Sequence, residues 1–380
     1  MHHAMKIKNF SFLLSVIVLL GCSNRKTLSI TQPDSLTYRA NTAFFSFEDL
    51  SSPGFQALKN NYKIDTVFHG EQDEFKRILL LRDWIRTVIQ SSDFEKTYPG
   101  EGYSNKILDA ALKGQGFHCG HYLIVQNAVM NAYGYVTRCL GAGPGVKGGP
   151  DGHHGMNEIW SNQYRKWFLS DAQYNHHFEK NGIPLSALEI RDEYLKNKVA
   201  DVILVKGPGR VPIDDDGIAD EKGDIIKVTK EKFAQIYTWI EWESRNNRFT
   251  GWPGNSGELS KVNVFADDYF KTHTWIWDGK PHWAYHTEFM ILVNDRKALE
   301  WTPNTIATNV KIEGEFARIN LDSTTPNLKS YQMKALPDGE WKDISKTIQI
   351  ELRMDREEML FRTVNLAGVT GPEHKIIIGG

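Results

Sequence analysis

The segment GQGFHCGHYLIVQNAVMNAYGY, residues Gly114 to Tyr135, places one cysteine, Cys119, between a glycine-rich approach and a long apolar stretch. Apolar residues at helical spacing predict a helix from Gly120 to Tyr133 that ends at Gly134. The glycines before the cysteine let the chain turn sharply, so the sulfur would lie at the helix N-terminus. Three roles are open to a thiol there: a nucleophile, half of a disulfide, or a small core residue.

The whole chain has 380 residues, 41% of them hydrophobic, and a formal net charge of −2 at pH 7. This length and apolar content suffice for a sizeable core and predict two domains. Because no strongly basic field is available to hold a phosphate backbone, nucleic acid is not expected as a partner.

The N-terminus is typical of a bacterial targeting segment. An apolar run from Phe10 to Leu20 follows two lysines and is too short to span a bilayer comfortably. It ends in LLGC, which resembles the lipobox of bacterial lipoproteins, whose cysteine is acylated. We therefore predict a lipoprotein signal peptide over residues 1–22, lipid on Cys22 and anchoring in the outer membrane of the cell envelope, which Ser23 favours. A simple secretory peptide cleaved near Gly21 is the alternative.

Only Cys119 and Cys139 remain as thiols if Cys22 carries lipid. In an oxidising compartment these two could form a disulfide, which is the main alternative to a catalytic cysteine. The predicted helix carries the chain about 20 Å away from Cys119 before a strand predicted over residues 135–140 brings it back. That separation favours a free thiol at Cys119.

Periodicity predicts further elements around this helix. Helical spacing of apolar residues predicts a helix over Glu71–Gln90 and shorter ones over Lys106–Lys113 and Leu188–Val199. Strands are predicted at Met156–Trp160 and Lys166–Leu169, joined by a turn. A helix that carries the cysteine, followed by antiparallel strands, predicts the α+β class.

Two side chains that can activate a thiol flank these strands. His154 comes at the start of the first strand and Asp171 at the end of the second. Neighbouring antiparallel strands bring those two ends together, so the Asp171 carboxylate can fix the tautomer of His154. We therefore predict a triad of Cys119, His154 and Asp171 for acyl transfer, with N–H groups at the helix start as an oxyanion hole.

Other polar residues near the triad have structural interpretations. His153 is expected on the loop surface. Glu158 is expected to support the fold through a salt bridge or hydrogen bond, with Arg138 as a candidate partner.

Metal-ligating residue types are present, but their spacing does not predict a site. A zinc ion could in principle use His118, Cys119, His121, His153 and His154, yet the sequence has no paired CxxC or HExxH spacing there. The acidic segment Ile213–Asp224 looks like part of a calcium loop, but Pro212 stands where the first carboxylate belongs. We predict a solvated acidic turn and no metal.

The region around Cys119 contains five short motifs, in this order along the chain: DWI at 83–85, LKGQGFHC at 112–119, YGYVTR at 133–138, HGMNEI at 154–159 and WFLSD at 167–171. Their order resembles the transglutaminase-like superfamily, whose core is similar to papain-type cysteine proteases. The resemblance spans Phe75 to Asn175 and implies a nucleophile at Cys119, a proton shuttle at His154 and an orienting carboxylate at Asp171. Met156 stands where the family usually has an aromatic residue, and His118 and His121 beside the cysteine are unusual for it.

The C-terminal third is rich in predicted strands. Tyr331–Ile344 is predicted as a hairpin and Met359–Ile378 as two strands joined by a glycine-containing turn. The last ninety or so residues resemble fibronectin type III and immunoglobulin-like sandwiches. We therefore predict a tether over 23–41, a transglutaminase-like domain with an insertion or extension over 42–260, and a β-rich region over 261–380 that ends in an immunoglobulin-like sandwich.

An aromatic stretch between these parts, Thr272–Phe289, has two interpretations. Its members Trp275, Trp277, Trp283 and Tyr285 alternate with polar residues. They would form either a stacking platform for sugar rings or part of the core and the domain interface.

The resemblance implies an exported enzyme that hydrolyses an amide or peptide bond in a peptide or glycopeptide, with water as acceptor and no cofactor. One alternative is a cell-envelope protein that binds glycan or peptide and has a vestigial triad. The other is a polysaccharide-active enzyme on the same fold.

Overall fold

The computed structural model describes residues 29–31, 45–92, 103–143, 153–219, 225–250, 261–273, 276–277, 280–281, 290–352 and 356–379. The predicted signal peptide and Cys22 lie outside these ranges, so the lipid anchor remains a prediction. Among the described residues, no helix has the length and apolar character needed to cross a membrane.

Eight α-helices lie within the described ranges, and the four that the sequence predicts are confirmed to within a few residues at each end. Acceptor side chains define several of the starts: Asp73 accepts the N–H of Lys76 before α2, and Ser186 forms a capping box with Glu189 before α5. The helices are α1 Pro53–Asn61, α2 Glu74–Val88, α3 Tyr103–Ala111, α4 Cys119–Ala132, α5 Ala187–Asn197, α6 Lys230–Ile236, α7 Asp268–Thr272 and α8 Arg296–Leu299.

The strands of the first 265 residues are β1 Ser29–Thr31, β2 Ser46–Phe47, β3 Gln90–Ser91, β4 Gly116–Phe117, β5 Thr137–Gly143, β6 His154–Ser161, β7 Lys166–Ser170, β8 His176–Lys180, β9 Ile183–Pro184, β10 Ile203–Lys206, β11 Val211–Ile213, β12 Asp215–Ala219, β13 Ile225–Thr229, β14 Trp239–Glu243, β15 Arg245–Asn246 and β16 Val262–Phe265. Those that follow are β17 Ile276–Trp277, β18 Lys280–Pro281, β19 Met290–Val293, β20 Ala307–Glu313, β21 Phe316–Asp322, β22 Leu328–Ala335, β23 Lys342–Ile344, β24 Thr347–Glu351, β25 Glu357–Asn365 and β26 His374–Gly379.

A six-stranded sheet in the order β19-β16-β14-β5-β6-β7 forms the centre of the first unit. Successive residues of a strand point to opposite faces, and both faces of this sheet are covered. Cys139 of β5 packs into the core built with α1 to α4, whereas its neighbour Leu140 packs into the core built with α5 and α6. Helices and mainly antiparallel strands thus make a mixed α and β chain that is compatible with the α+β prediction.

The predicted boundary at residue 260 needs correction, because the central sheet continues beyond it. Strand β16 pairs with β14, and β19 pairs with β16 in parallel. Trp301, further along the chain, packs with Trp160 and Trp167, and its carbonyl accepts the Trp167 indole N–H at 2.8 Å. The first unit therefore extends to about residue 302, as marked by this buried tryptophan.

The C-terminal unit consists of two sheets, β1-β26-β25-β22-β23 and β20-β21-β24, that share one apolar core. The predicted hairpin is confirmed by the pairing of Tyr331 with Ile344, and the predicted pair of strands by β25 and β26. One edge strand comes from the range predicted as a tether: Ser29–Thr31 pairs antiparallel with β26. Both ends of the described chain therefore meet in one sheet.

Gly134, at the end of α4, is where the C-terminal unit touches the cysteine-bearing helix. Its carbonyl accepts a hydrogen bond from the Asn365 side chain at 2.8 Å, and its φ is +80°. A Cβ atom at this position would lie 2.6 Å from the Cβ of Ala367. Both the left-handed backbone and the close approach therefore require glycine.

A buried ion pair holds the far end of β5 and β6. Arg138 donates to Glu158 at 2.6 and 2.9 Å, as the sequence suggests, and both side chains are almost fully buried. Glu158 also accepts the indole N–H of Trp242 and the backbone N–H of Ala187, each at 2.8 Å. One carboxylate thus joins β5, β6, β14 and the start of α5.

Replacing Glu158 tests the importance of this junction. Glu158→Gln leaves the buried guanidinium of Arg138 without its counter-charge, so we expect the free energy of unfolding to fall by about 3 kcal/mol or more in urea denaturation. Glu313→Gln is the matched control, because Glu313 and its partner Arg318 are both about half exposed. That control should change the stability by less than about 1 kcal/mol. Equal effects of the two variants would contradict the role assigned to Glu158.

Candidate active site

Cys119 is the first residue of α4, which confirms the predicted helix start. His118 is the N-cap, and its Nδ1 accepts the backbone N–H of Gly120 at 3.2 Å. The helix therefore begins on a residue whose side chain also lies beside the sulfur: His118 forms a hydrogen bond with Cys119. Cys119 is only partly buried, in contrast to the fully buried Cys139.

The disulfide alternative is excluded, because Cys119 and Cys139 are both free thiols. Cys139 lies in the middle of β5, fully buried, where its sulfur accepts the side-chain N–H of Asn157 at 3.6 Å. Burial raises the pKa of the Cys139 thiol well above its usual value. Cys139 is therefore a structural core residue.

His154 and Asp171 meet as predicted from the antiparallel strands. Asn157 of β6 pairs with Ser170 of β7, which brings the start of one strand beside the end of the other. His154 Nε2 lies 2.6 Å from Asp171 Oδ2, and both residues are buried. The second carboxylate oxygen, Oδ1, accepts the backbone N–H of Tyr174 at 3.1 Å. Because Nε2 is occupied, Nδ1 is the ring nitrogen left for the thiol.

The surroundings of Asp171, His154 and Cys119 favour the charged form of each side chain. Burial alone would raise the pKa of Asp171, but the positive charge and hydrogen bond of His154 outweigh it and lower that pKa to about 2. Burial also opposes a charged imidazole, yet the charge of Asp171 and hydrogen bonds to Asp171 and Cys119 raise the pKa of His154 to about 10. Asp171 is thus ionised and His154 protonated around neutral pH.

The sulfur completes this pattern. Burial disfavours the Cys119 thiolate, but hydrogen bonds from His118 and His154 outweigh burial, together with the charge of His154 and the N–H of Gly155. The pKa of the Cys119 thiol is therefore held well below its usual value. A thiolate beside an imidazolium is the reactive form of a cysteine nucleophile.

The start of α4 also offers an N–H donor for an oxyanion. It offers fewer such N–H groups than the sequence suggests. The N–H of Gly120 is occupied by His118, and the N–H of His121 donates to the His118 carbonyl at 3.0 Å. The N–H of Cys119 is the donor of the first turn that these contacts leave unused. It lies on the nucleophile itself, where negative charge develops during attack on a carbonyl.

The two extra histidines beside the cysteine have structural roles that sequence reasoning missed. His118 is both helix cap and sulfur partner, and its ring packs edge-on against that of the buried His121 at 4.3 Å. The sequence signal for His118 was its position, because a polar residue directly before a helix start is a candidate N-cap.

Within the described ranges no three His, Cys, Asp or Glu side chains are grouped to hold a metal ion. His153 is exposed, as expected.

The remaining predicted features have mixed outcomes. Asp216 of the acidic segment lies in strand β12, where Lys206 bonds both of its carboxylate oxygens, at 2.6 and 2.7 Å. The solvated turn predicted over Ile213–Asp224 is therefore wrong for Asp215–Ala219, which forms a strand, and residues 220–224 lie outside the described ranges. So do three of the four aromatic candidates, Trp275, Trp283 and Tyr285, and for Trp277 only the backbone is described.

A search against protein-family models finds no match for this chain, and neither does a search of curated proteins. The geometry of Cys119, His154 and Asp171 is therefore the evidence on the chemistry of the site. It brings together a thiol, an imidazole and a carboxylate, which are the groups that acyl transfer requires.

Alkylation with iodoacetamide across pH tests the charge state of the sulfur. We expect Cys119 to react with a midpoint well below pH ~8.5, because the thiolate is stabilised, whereas buried Cys139 stays unmodified in the folded protein. Peptide mapping by mass spectrometry after denaturation assigns the label to each cysteine. A midpoint at or above the value of an ordinary thiol would contradict the ion pair.

Proposed function

We propose that the protein is an exported thiol hydrolase in which Cys119 attacks the carbonyl carbon of an amide or peptide bond. The observation that supports it is one continuous hydrogen-bonded line from Cys119 through His154 to Asp171 at the start of α4. The substrate class is a peptide or glycopeptide, and the reaction uses no cofactor.

In the first half of the reaction, the Cys119 thiolate adds to the carbonyl carbon and the carbonyl oxygen becomes an oxyanion near the N–H of Cys119. His154 then gives its proton to the amide nitrogen, the carbon–nitrogen bond breaks, and the amine leaves. The acyl group remains on sulfur as a thioester. Asp171 keeps the imidazole oriented and stabilises its charged form.

In the second half, His154 is neutral and takes a proton from water as the water oxygen attacks the thioester carbonyl. The carbon–sulfur bond breaks, the acid product leaves, and the sulfur returns as thiolate beside the reprotonated His154. One water is consumed for each bond cleaved. An amine in place of that water would give transfer, which the same residues can perform.

The class we propose for the first unit is the transglutaminase-like superfamily. A helix that begins on the cysteine and packs on antiparallel strands carrying the histidine and the aspartate matches the motif order of that superfamily. For the C-terminal unit we propose an immunoglobulin-like sandwich, a module that usually serves as a spacer or for binding.

A binding protein with a vestigial triad is the main rival to this enzyme. Three charged side chains at a largely buried site cost desolvation free energy, which a binding module has no reason to sustain. Perturbed charge states also concentrate at catalytic sites. The charge pattern of Cys119, His154 and Asp171 therefore favours the enzyme.

Mass spectrometry of peptide mixtures tests the activity. The wild-type protein is incubated with unmodified peptides and with peptides from bacterial cell walls, and products are sought whose masses sum to a substrate plus one water. We expect Cys119→Ala to lower the rate at least about 10³-fold, because it removes the nucleophile. Cys139→Ala is the matched control, since it removes the structural thiol and should keep the wild-type rate.

The rivals predict different results when cell-wall glycan is added to the same assay. A polysaccharide-active enzyme would release glycan fragments, and Cys119→Ala would not stop that release. A binding protein would turn over neither substrate and would have an ordinary thiol at Cys119.

Fractionation tests the proposed lipid anchor. With Cys22→Ala, the protein should move from the membrane fraction to the soluble fraction and lose incorporation of labelled palmitate, because its acylation site is gone. Cys119→Ala, which keeps Cys22, should remain in the membrane fraction. Unchanged fractionation of Cys22→Ala would argue against a lipoprotein.

A further inference from the structure

A second imidazole lies beside the triad on the side of Asp171. His176 begins β8, and its backbone forms two hydrogen bonds of 3.2 Å with the backbone of Asp171. The side chain is fully buried. Its Nε2 lies 3.6 Å from Asp171 Oδ2, the same oxygen that His154 contacts, and its Nδ1 lies 3.7 Å from Asp216 Oδ2. Both separations are slightly longer than an ordinary hydrogen bond, and neither nitrogen has a hydrogen-bond partner at ordinary length among the described residues.

Packing fixes this ring between the two carboxylates. It stacks on Tyr174 with ring centroids 5.2 Å apart and meets the edge of Phe233 at 4.7 Å. The guanidinium of Arg82 donates to the His176 carbonyl at 2.9 Å and holds the backbone from α2. The imidazole therefore cannot leave its position without disturbing several buried contacts.

Three charged groups face His176: Asp171, Asp216 and Arg82. Burial is the largest influence and, with the positive charge of Arg82, outweighs the two carboxylates and lowers the pKa of His176. The ring is therefore neutral around pH 7 and has a single N–H to donate. Asp216 also interacts with His176, but it already has Lys206 on both oxygens, so an N–H on Nε2 would add more at Asp171 than an N–H on Nδ1 would add at Asp216.

The catalytic cycle of the proposed hydrolase creates a need for such a donor. When His154 has given its proton to the leaving amine, Asp171 remains a buried carboxylate without its neighbouring positive charge. A buried unpaired charge is costly, so another donor to Oδ2 would stabilise this stage.

We infer that His176 is a positioning residue of the triad, which donates its Nε2–H toward Asp171 Oδ2 and stabilises that carboxylate while His154 is neutral. The inference rests on the proposed function. As a consequence, Asp171 raises the pKa of His154 less than a carboxylate without this donor would. His154 is then a better acid toward the leaving amine.

Titration of the His154 imidazole by ¹⁵N NMR tests this inference without any substrate. His176→Phe keeps an aromatic ring among Tyr174 and Phe233 but removes the donor, so we expect the His154 midpoint to rise by about 0.5–1 pH unit. His176→Asn keeps an N–H and should restore most of the wild-type midpoint. His176→Leu replaces the phenylalanine variant if that protein does not fold.

His177→Asn is the matched control. His177 is an equally buried neighbour, but it bonds Glu179 at 2.7 Å and serves that carboxylate instead of Asp171. Its replacement should lower stability without moving the His154 midpoint.

Suppose that wild-type His154 titrates well above an ordinary histidine, but its midpoint is unchanged or lowered in His176→Phe. That result would overturn the inference and leave the proposed function standing. An ordinary midpoint for His154 and an ordinary thiol at Cys119 in the wild-type protein would overturn the proposed function as well.

Discussion

The contact between His154 and Asp171, 2.6 Å long and buried, is the interaction on which the site depends. It exists because two adjacent antiparallel strands begin and end at the same edge of the sheet. The carboxylate makes the imidazole basic, and the protonated imidazole in turn helps to keep the sulfur ionised. Without Asp171, neither charge on the other two residues would be sustained away from water.

A sheet covered on both faces imposes a second constraint, because every polar group inside it needs a partner. The Arg138–Glu158 pair meets this need at one end of β6, and the triad lies at the other end, where His154 begins the strand. One strand therefore carries a structural ion pair and the histidine of the candidate site. They differ in their surroundings: the first is enclosed by tryptophan rings, while the second lies beside the only partly buried Cys119.

Local sequence patterns predicted which residues meet at the candidate site. They did not predict the pairing of strands that are distant in sequence. The helix start at Cys119 follows from glycine placement and helical periodicity, and the meeting of His154 with Asp171 follows from two short strands joined by a turn. The parallel addition of β19 to β16 leaves no such signal, because a short apolar strand does not encode which sheet it joins. His176 was not predicted because a single histidine at the start of a strand carries no signal that its ring will be buried beside Asp171.

The antiparallel pairing of Ser29–Thr31 with β26 has a consequence for how the protein is made. These partners are separated by nearly the whole described chain, so the contact is highly non-local. A nascent chain cannot close this sheet edge until β26 has been made. The cysteine-bearing unit precedes β26 in the chain, so it can complete its own core first.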